Sequence, residues 1–258
     1  MDVLDAVAIL AAGTAAGGIN AIVGSGSLIT FPTLLALGYP PVVANVSNNV
    51  GLVPGNASGA YGYRRELKGQ GRRLLRLGAA SFLGALAGAL LLLTLPAEAF
   101  KVIVPGLIMI ALLLVILQPR LQAWMQARRD GQGRNRPDGG PGLWLGVLGT
   151  GVYGGYFGAA QGIVLISLLG IALDDDLQRL NGVKNAMAAI VNGTAALIFI
   201  LMWLVGRTEI SGWAVLLVAT GSTMGGLLGA KLARKIPPLV LRGVIVAVGV
   251  AAIVQLLR

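Results

Sequence analysis

The chain has 258 residues, of which 56% are hydrophobic and only 12% are charged, and its formal net charge is +10. It contains neither cysteine nor histidine, which excludes disulfides, thiolate chemistry and the commonest general base and metal ligand. The basic excess does not indicate nucleic-acid binding, because basic residues of a membrane protein collect in its cytoplasmic loops.

Long uncharged segments predict an α-helical membrane protein. A helix needs roughly 20 apolar residues to cross a bilayer. These segments show neither the polar face of a soluble helix nor the alternation of a membrane β-barrel. The sequence therefore predicts an all-α, polytopic fold. The segments without charge are 6–63, 77–97, 102–118 and 142–173.

The first half of the chain, residues 1–118, contains five predicted segments. Residues 3–22 are long enough to span the membrane, whereas residues 26–38 cover only about 20 Å as a helix, which is too short. Three long segments follow. Residues 119–141 are basic and rich in Gly and Pro, which predicts a solvated linker.

The second half, residues 142–258, repeats the first. It again offers a long segment (142–160), a short one (162–173) and three long ones. Small apolar residues match by chance, but three asparagines in one register do not, so we predict two homologous halves. A shift of 136 residues pairs Asn45 with Asn181, Asn49 with Asn185, and Asn56 with Asn192.

The two short segments predict helices that turn near the membrane midplane, at residues 23–28 and 159–164. Irregular backbone at that depth survives only where protein or water surrounds it. Transporters built from inverted repeats use such broken helices to aim helix N-termini at anionic groups. The alternative is that the glycines of these turns only allow close helix packing.

The basic residues predict the orientation of each half. Five segments per half is an odd number, so the second half would enter the membrane inverted. This arrangement places 17 of the 20 Lys and Arg residues inside and leaves Lys101, Arg207 and Arg258 outside. Four crossings per half would give 13 inside and 7 outside. The positive-inside rule therefore favours a cytoplasmic linker, external termini and an inverted repeat.

Three motifs carry a family resemblance: "GSGSLITFPTLLALG" (24–38), "ANVSNNV" (44–50) and "LNGVKNAMAAIVNGTAAL" (180–197). The order of these motifs and their duplication in the two halves resemble the sulfite exporter TauE/SafE family, also called the TSUP transporters. The resemblance covers nearly the whole chain. The resemblance implies export or import of sulfite, sulfonates and related organosulfur anions. The family's usual Gly-Gly-Gly run is replaced by Gly24-Ser25-Gly26 and by Ala160-Gln161-Gly162. A substrate other than sulfite therefore stays open.

The paired asparagines predict a polar stripe on one helix of each half, because offsets of 4 and 11 residues return to nearly one helix face. Facing stripes would line a hydrophilic pathway; interhelical hydrogen bonding is the alternative. Lys184 beside the second stripe would either attract an anion or extend to the membrane interface. The predicted substrate-binding residues are Ser25, Gly26, Ser27, Asn45, Asn49, Asn56, Gln161, Gly162, Asn181, Lys184, Asn185 and Asn192.

The remaining sequence features favour a secondary transporter of small anions in the cell membrane. All ten Asp and Glu residues lie at the termini, in loops or at the edges of predicted spans, which disfavours a cation antiporter or a proton pump with an embedded carboxylate. No "GKS" or "GKT" motif is present, and we predict no enzyme activity, cofactor or metal. The predicted partners are a small anion and the lipid bilayer. A passive anion channel, a transporter of non-sulfur organic anions and a homo-oligomer stay open.

Overall fold

The computed structural model describes residues 2–129 and 138–232, and near the C-terminus positions 243, 245–247, 250 and 253–254. Over the two long ranges the chain forms nine α-helices and no strand, which confirms the all-helical fold class. The helices are α1 (Val3–Ile22), α2 (Ser27–Ala36), α3 (Pro41–Gly62), α4 (Gly71–Thr94), α5 (Ala97–Arg129), α6 (Pro141–Tyr156), α7 (Gln161–Ala172), α8 (Leu177–Leu204) and α9 (Gly212–Leu232).

The helices of the first half follow the predicted order. α1 covers residues 3–22 as expected, and α2 is a short helix of 10 residues. α5 extends beyond residue 118 to Arg129, so the first part of the predicted linker is helical. Residues 130–137 of that linker lie outside the described part of the chain.

The second half shows the same order as far as it is described. α6 is shorter than the predicted 142–160, since it ends at Tyr156 with 16 residues. α7 is the second short helix and has 12 residues. The fifth segment of this half follows Leu232, where only isolated positions are described, and those positions are helical.

The outer surface of the helices is suited to lipid. Large apolar side chains are exposed there, among them Leu91, Ile110 and Leu201. Such a surface requires an apolar environment. The chain is thus a multi-pass membrane protein. Among the described residues, the helices that are long and apolar enough to cross a membrane are Val3–Ile22, Gly71–Thr94, Glu98–Leu121 and Leu177–Leu204.

The two short helices begin after turns that L side chains rarely adopt. Between α1 and α2, Gly24 has a φ of 84°, and between α6 and α7, Gly158 has a φ of 77°. Ala160 precedes α7 in the left-handed region with a φ of 57°. Glycine takes this conformation without steric cost, which explains why the breaks fall at Gly24 and Gly158.

The helices of the two halves exchange partners. α1 packs along α9, and α6 packs along α4, so the first helix of each half lies against the fourth helix of the other. Small residues allow this approach: a methyl group on Gly17 would overlap the backbone of Ser222, and one on Gly88 would overlap Val152. The pairing is reciprocal, as expected for two repeats. That the repeats cross the membrane in opposite senses stays a prediction.

The helices that carry the predicted polar stripes, α3 and α8, pack against each other in the interior. α3 has 22 residues and no charge, yet it buries Asn45, Asn48, Asn49 and Asn56. Aromatic side chains fix the neighbouring short helix. Phe31 of α2 stands edge-on to Phe157 of the second turn, with ring centroids 5.2 Å apart.

Candidate functional site

A small cavity lies where the two short helices begin. It is lined by the end of α1, the two turns and the polar faces of α3 and α8, so both halves of the chain contribute to it. Its volume is about 20 Å³, room for one or two water molecules. The lining residues are Asn20, Gly24, Ser27, Asn56, Gly158, Gln161, Gly162, Lys184, Ala188 and Asn192.

The two turns touch each other beside this cavity. The Gly162 N–H donates a hydrogen bond of 3.0 Å to the Gly24 carbonyl. A methyl group on either glycine would overlap the Cα of the other. α2 begins at Ser27 and α7 at Gln161, so both helix N-termini border the cavity. The N–H groups of a first helical turn lack partners within the helix and carry partial positive charge, which makes this a suitable place for an anion.

Lys184 is buried at the cavity, with 1% of its surface exposed. Its Nζ contacts the last carbonyls of α1, those of Asn20 and Ala21 at 3.3 Å and that of Ile22 at 3.2 Å. No carboxylate of the described residues forms a salt bridge with it. Of the two interpretations of this lysine, extension to the membrane interface is wrong, because the side chain ends inside the protein.

The carboxamides around the cavity form a short network. The Asn20 Oδ1 accepts a hydrogen bond of 2.6 Å from the Gly26 N–H, and its Nδ2 donates to the Asn56 Oδ1 at 3.3 Å. Asn192, which the repeat pairs with Asn56, also lines the cavity.

Gln161 carries a donor without a partner. Its side chain is 4% exposed, and its Nε2 has no hydrogen-bond partner. Leaving a buried amide donor unpaired costs about 1–3 kcal/mol. Native proteins retain few such groups, and an unpaired donor at a cavity favours a bound ligand as its hydrogen-bond partner.

The structure brings half of the predicted site residues into the cavity lining. Gly26 stands just behind it, held by Asn20. The other predicted residues lie outside the lining. Those in the lining are Ser27, Asn56, Gln161, Gly162, Lys184 and Asn192, and those outside it are Ser25, Gly26, Asn45, Asn49, Asn181 and Asn185.

Two of the asparagines outside the lining cap broken helices. The Asn185 Nδ2 donates to the Ala21 carbonyl at 3.0 Å, and the Asn45 Nδ2 donates to the Tyr156 carbonyl at 3.0 Å. These carbonyls end α1 and α6, where no further helical turn satisfies them. Asn45 and Asn185 thus stabilise the chain breaks, while Asn56 and Asn192 line the cavity.

The cavity also contains residues that the sequence analysis missed: Asn20, Gly24, Gly158 and Ala188. Asn20 had a usable signal, because it is the only carboxamide in α1 and lies near the end of that helix. The site prediction depended on residues matched between the halves, and the repeat pairs Asn20 with Tyr156.

A second polar cluster joins the start of α4 to the connection between α7 and α8. Asp175 binds Arg73 at 2.6 Å and Arg179 at 2.8 Å. Burial alone would raise the pKa of Asp175, but the Arg73 hydrogen bond, the Asp176 N–H and the Arg179 charge together hold that pKa below its usual value. This cluster therefore stays ionised and connects the two halves outside the cavity.

The arrangement can bind a small oxyanion. It offers the Lys184 amino group, amide donors and two helix N-termini, and none of the described residues that line it has a carboxylate. The described residues contain no group of three or more acidic side chains that could hold a metal ion. Broken helices around a central polar cavity define a membrane protein of the transporter class.

Comparison with known proteins agrees with this class. The chain matches the family described as "Sulfite exporter TauE/SafE" over residues 9–256 and belongs to that family. It is 28% identical to "Probable membrane transporter protein YfcA" of Escherichia coli K12 over 94% of this chain and 86% of that protein. It is 30% identical to "Probable membrane transporter protein" of Haemophilus influenzae over 90% and 87%. No solved structure matches the chain.

Proposed function

We propose that this protein is a secondary transporter of small organosulfur or sulfur-oxide anions, such as sulfite or sulfonates, in the cell membrane. The observation that carries the proposal is the cavity at which the N-termini of α2 and α7 meet Lys184. The family description and the transporter names of the relatives support transport in general. The anion class is our inference from the chemistry of the cavity.

The donors around the cavity suit an oxyanion better than a cation. Lys184 brings positive charge, and the unpaired Gln161 Nε2 is a donor that a sulfonate or sulfite oxygen would satisfy. Ser27 and Gly162 lie in the first turns of α2 and α7, where backbone N–H groups and helix dipoles favour negative charge. A cation would meet the ammonium without any carboxylate in the lining to offset it.

The size of the cavity favours a transporter over a passive channel. About 20 Å³ holds one or two waters and not a tetra-atomic oxyanion such as sulfite. Some of the residues that line the cavity must therefore move before an anion enters. A site that opens and closes around its ligand corresponds to alternating access, whereas a channel requires a continuous open path.

The test is anion binding to the purified full-length protein by calorimetry. The panel is sulfite, sulfoacetate, taurine, sulfate and acetate. We expect saturable binding of sulfur oxyanions. Gln161→Ala should lower the affinity about 10- to 150-fold, because it removes one charge-assisted hydrogen bond to the anion. The matched control is Gln178→Ala, since Gln178 is an exposed glutamine in the first turn of α8.

Two results would contradict the proposal. If Gln161→Ala bound every anion as tightly as Gln178→Ala does, the anion site would lie elsewhere. If proteoliposomes released sulfite at a rate that never saturated with concentration, the protein would be a passive channel.

A further inference from the structure

Lys184 has a buried amino group around which the described residues place no opposite charge. α8 packs against α1, α3, α4, α6 and α7, and against the 63–67 segment at Gly182. α7 has no titratable side chain, and α3 has only a tyrosine. The titratable groups on these elements and on the first turns of α8 are Asp5, Tyr61, Tyr63, Arg64, Arg65, Glu66, Arg72, Arg73, Arg76, Tyr153, Tyr156 and Arg179.

None of the acidic groups in the described part of the chain neutralises this lysine. Asp5 stands 17 residues before Ile22 on α1, which is about 25 Å along the helix. Asp175, just before α8, is already bound to two arginines. Glu66 forms no salt bridge with Lys184, and its Oε2 is buried without a partner. The hydroxyl of Tyr153 donates to the Ala159 carbonyl.

The carbonyls that contact Lys184 do not replace a counter-ion. The three contacts are 3.2–3.3 Å long, whereas charge-assisted hydrogen bonds are about 2.7–2.9 Å. Carbonyl dipoles at a helix C-terminus favour a cation by a fraction of what a carboxylate provides. An ammonium that is buried without a counter-ion is disfavoured, and proteins relieve this by releasing the proton.

We propose that Lys184 is the proton-coupling site of this transporter. When the cavity is empty, its side chain is the neutral amine. When a monoanion enters, the amine takes one proton from the water on the open side and becomes an ammonium, which then pairs with the anion. One proton and one anion are thus bound together, and both are released together. This inference rests on the proposed function.

Co-binding has a consequence for selectivity. An ammonium and a monoanion leave the occupied cavity neutral, so the closed state buries no net charge. A dianion would leave one uncompensated negative charge among apolar helices, and the cavity lining contains no second basic side chain to offset it. Proton coupling at Lys184 therefore selects the monoanionic form of a substrate.

The test measures proton uptake when an anion binds. Purified protein in weak buffer with a pH indicator receives methanesulfonate or, in parallel, sulfite, over a series from about pH 6 to about pH 10 that brackets ordinary lysine titration. The variants are Lys184→Arg, whose guanidinium stays charged, and Lys184→Gln. The matched control is Lys68→Gln, because Lys68 is exposed.

We expect the wild type and Lys68→Gln to take up as many as one proton per bound anion at the alkaline end. Their affinity should fall about tenfold per pH unit there. Lys184→Arg should bind methanesulfonate with an affinity that does not change with pH. With sulfite, the proton uptake of this variant measures the protonation of the anion itself and is subtracted from that of the wild type. Lys184→Gln should bind more weakly, with the same uptake as Lys184→Arg.

The possible failures are distinct. Anion binding by the wild type with no more proton uptake than Lys184→Arg would overturn the coupling role and leave the proposed function intact. Proton uptake by Lys184→Gln equal to that of the wild type would place the coupling group elsewhere. If neither methanesulfonate nor sulfite bound to the wild type, the proposed function itself would be wrong.

Discussion

Replacing Gly162 by Ala places a methyl group where the two turns touch. The new Cβ would overlap the Cα of Gly24 and lie 3.0 Å from its carbonyl oxygen. Because these neighbours are backbone atoms, no side-chain rotation relieves the overlap. The turns must separate, and the hydrogen bond from the Gly162 N–H to the Gly24 carbonyl must lengthen or break.

The magnitude follows from these two effects. Overpacking in a tight interior costs about 1–3 kcal/mol, and the lost hydrogen bond adds about 0.5–1.5 kcal/mol. The free energy of unfolding should therefore fall by about 1.5–4.5 kcal/mol. At about 2–4 °C per kcal/mol, the Tm should fall by about 3–18 °C. Anion affinity should fall about tenfold or more, because separation moves the N-terminus of α7 relative to that of α2.

The assay is thermal unfolding in detergent, followed by the fluorescence of the chain's 4 tryptophans, together with calorimetric anion binding. The control is Gly149→Ala in α6, where nothing lies within 4 Å of the added methyl group. That variant should match or slightly exceed the wild type in stability, since Ala favours a helix over Gly. If the Gly162 and Gly149 variants had the same Tm and affinity, the contact between the turns would not hold the site together.

Three further predictions concern the paired asparagines, the ionic cluster and the topology. Asn56→Ala and Asn192→Ala should each weaken anion binding about 10- to 150-fold in calorimetry, because these residues line the cavity from opposite halves. If neither substitution changed the affinity, the asparagine stripes would serve helix packing. Asp175→Asn should cost about 1–3 kcal/mol of stability at neutral pH. Folding lowers the pKa of the Asp175 carboxyl, so its contribution to stability is present above the unfolded-state pKa and is lost as the pH falls through the folded-state pKa. The free energies of unfolding of the wild type and the variant should therefore converge in acid. In the cysteine-free chain, a maleimide added outside intact cells should label Leu257→Cys and not Gly133→Cys; the reverse pattern would contradict the predicted orientation.

Much of the fold could be predicted because a membrane imposes simple constraints on composition and length. The uncharged segments and the short 26–38 and 162–173 stretches led directly to α1, α2 and α7. The repeat led to Asn56 and Asn192, because a site between two related halves takes equivalent residues from each. Gln161 was predicted as a polar residue in a turn that otherwise favours glycine.

The roles of the other asparagines could not be predicted, because they depend on which helix end lies opposite. A stripe on one helix shows which residues share a face, but not that Asn185 meets the final carbonyls of α1. The same limit applies to Lys184, whose burial depends on the helices packed around it. Asn20 was missed because it has no counterpart in the second half.

The exchange of helices between the halves has a consequence for biosynthesis. Gly17 of α1 packs on Ser222 of α9, 205 residues later in the chain. At about 5–20 residues per second, the ribosome needs about 10–40 s to make the second partner after the first. During that time the glycine face of α1 is exposed to lipid or to other proteins at the insertion site. Neither half can complete its packing alone, so severed halves should assemble only when they are produced together.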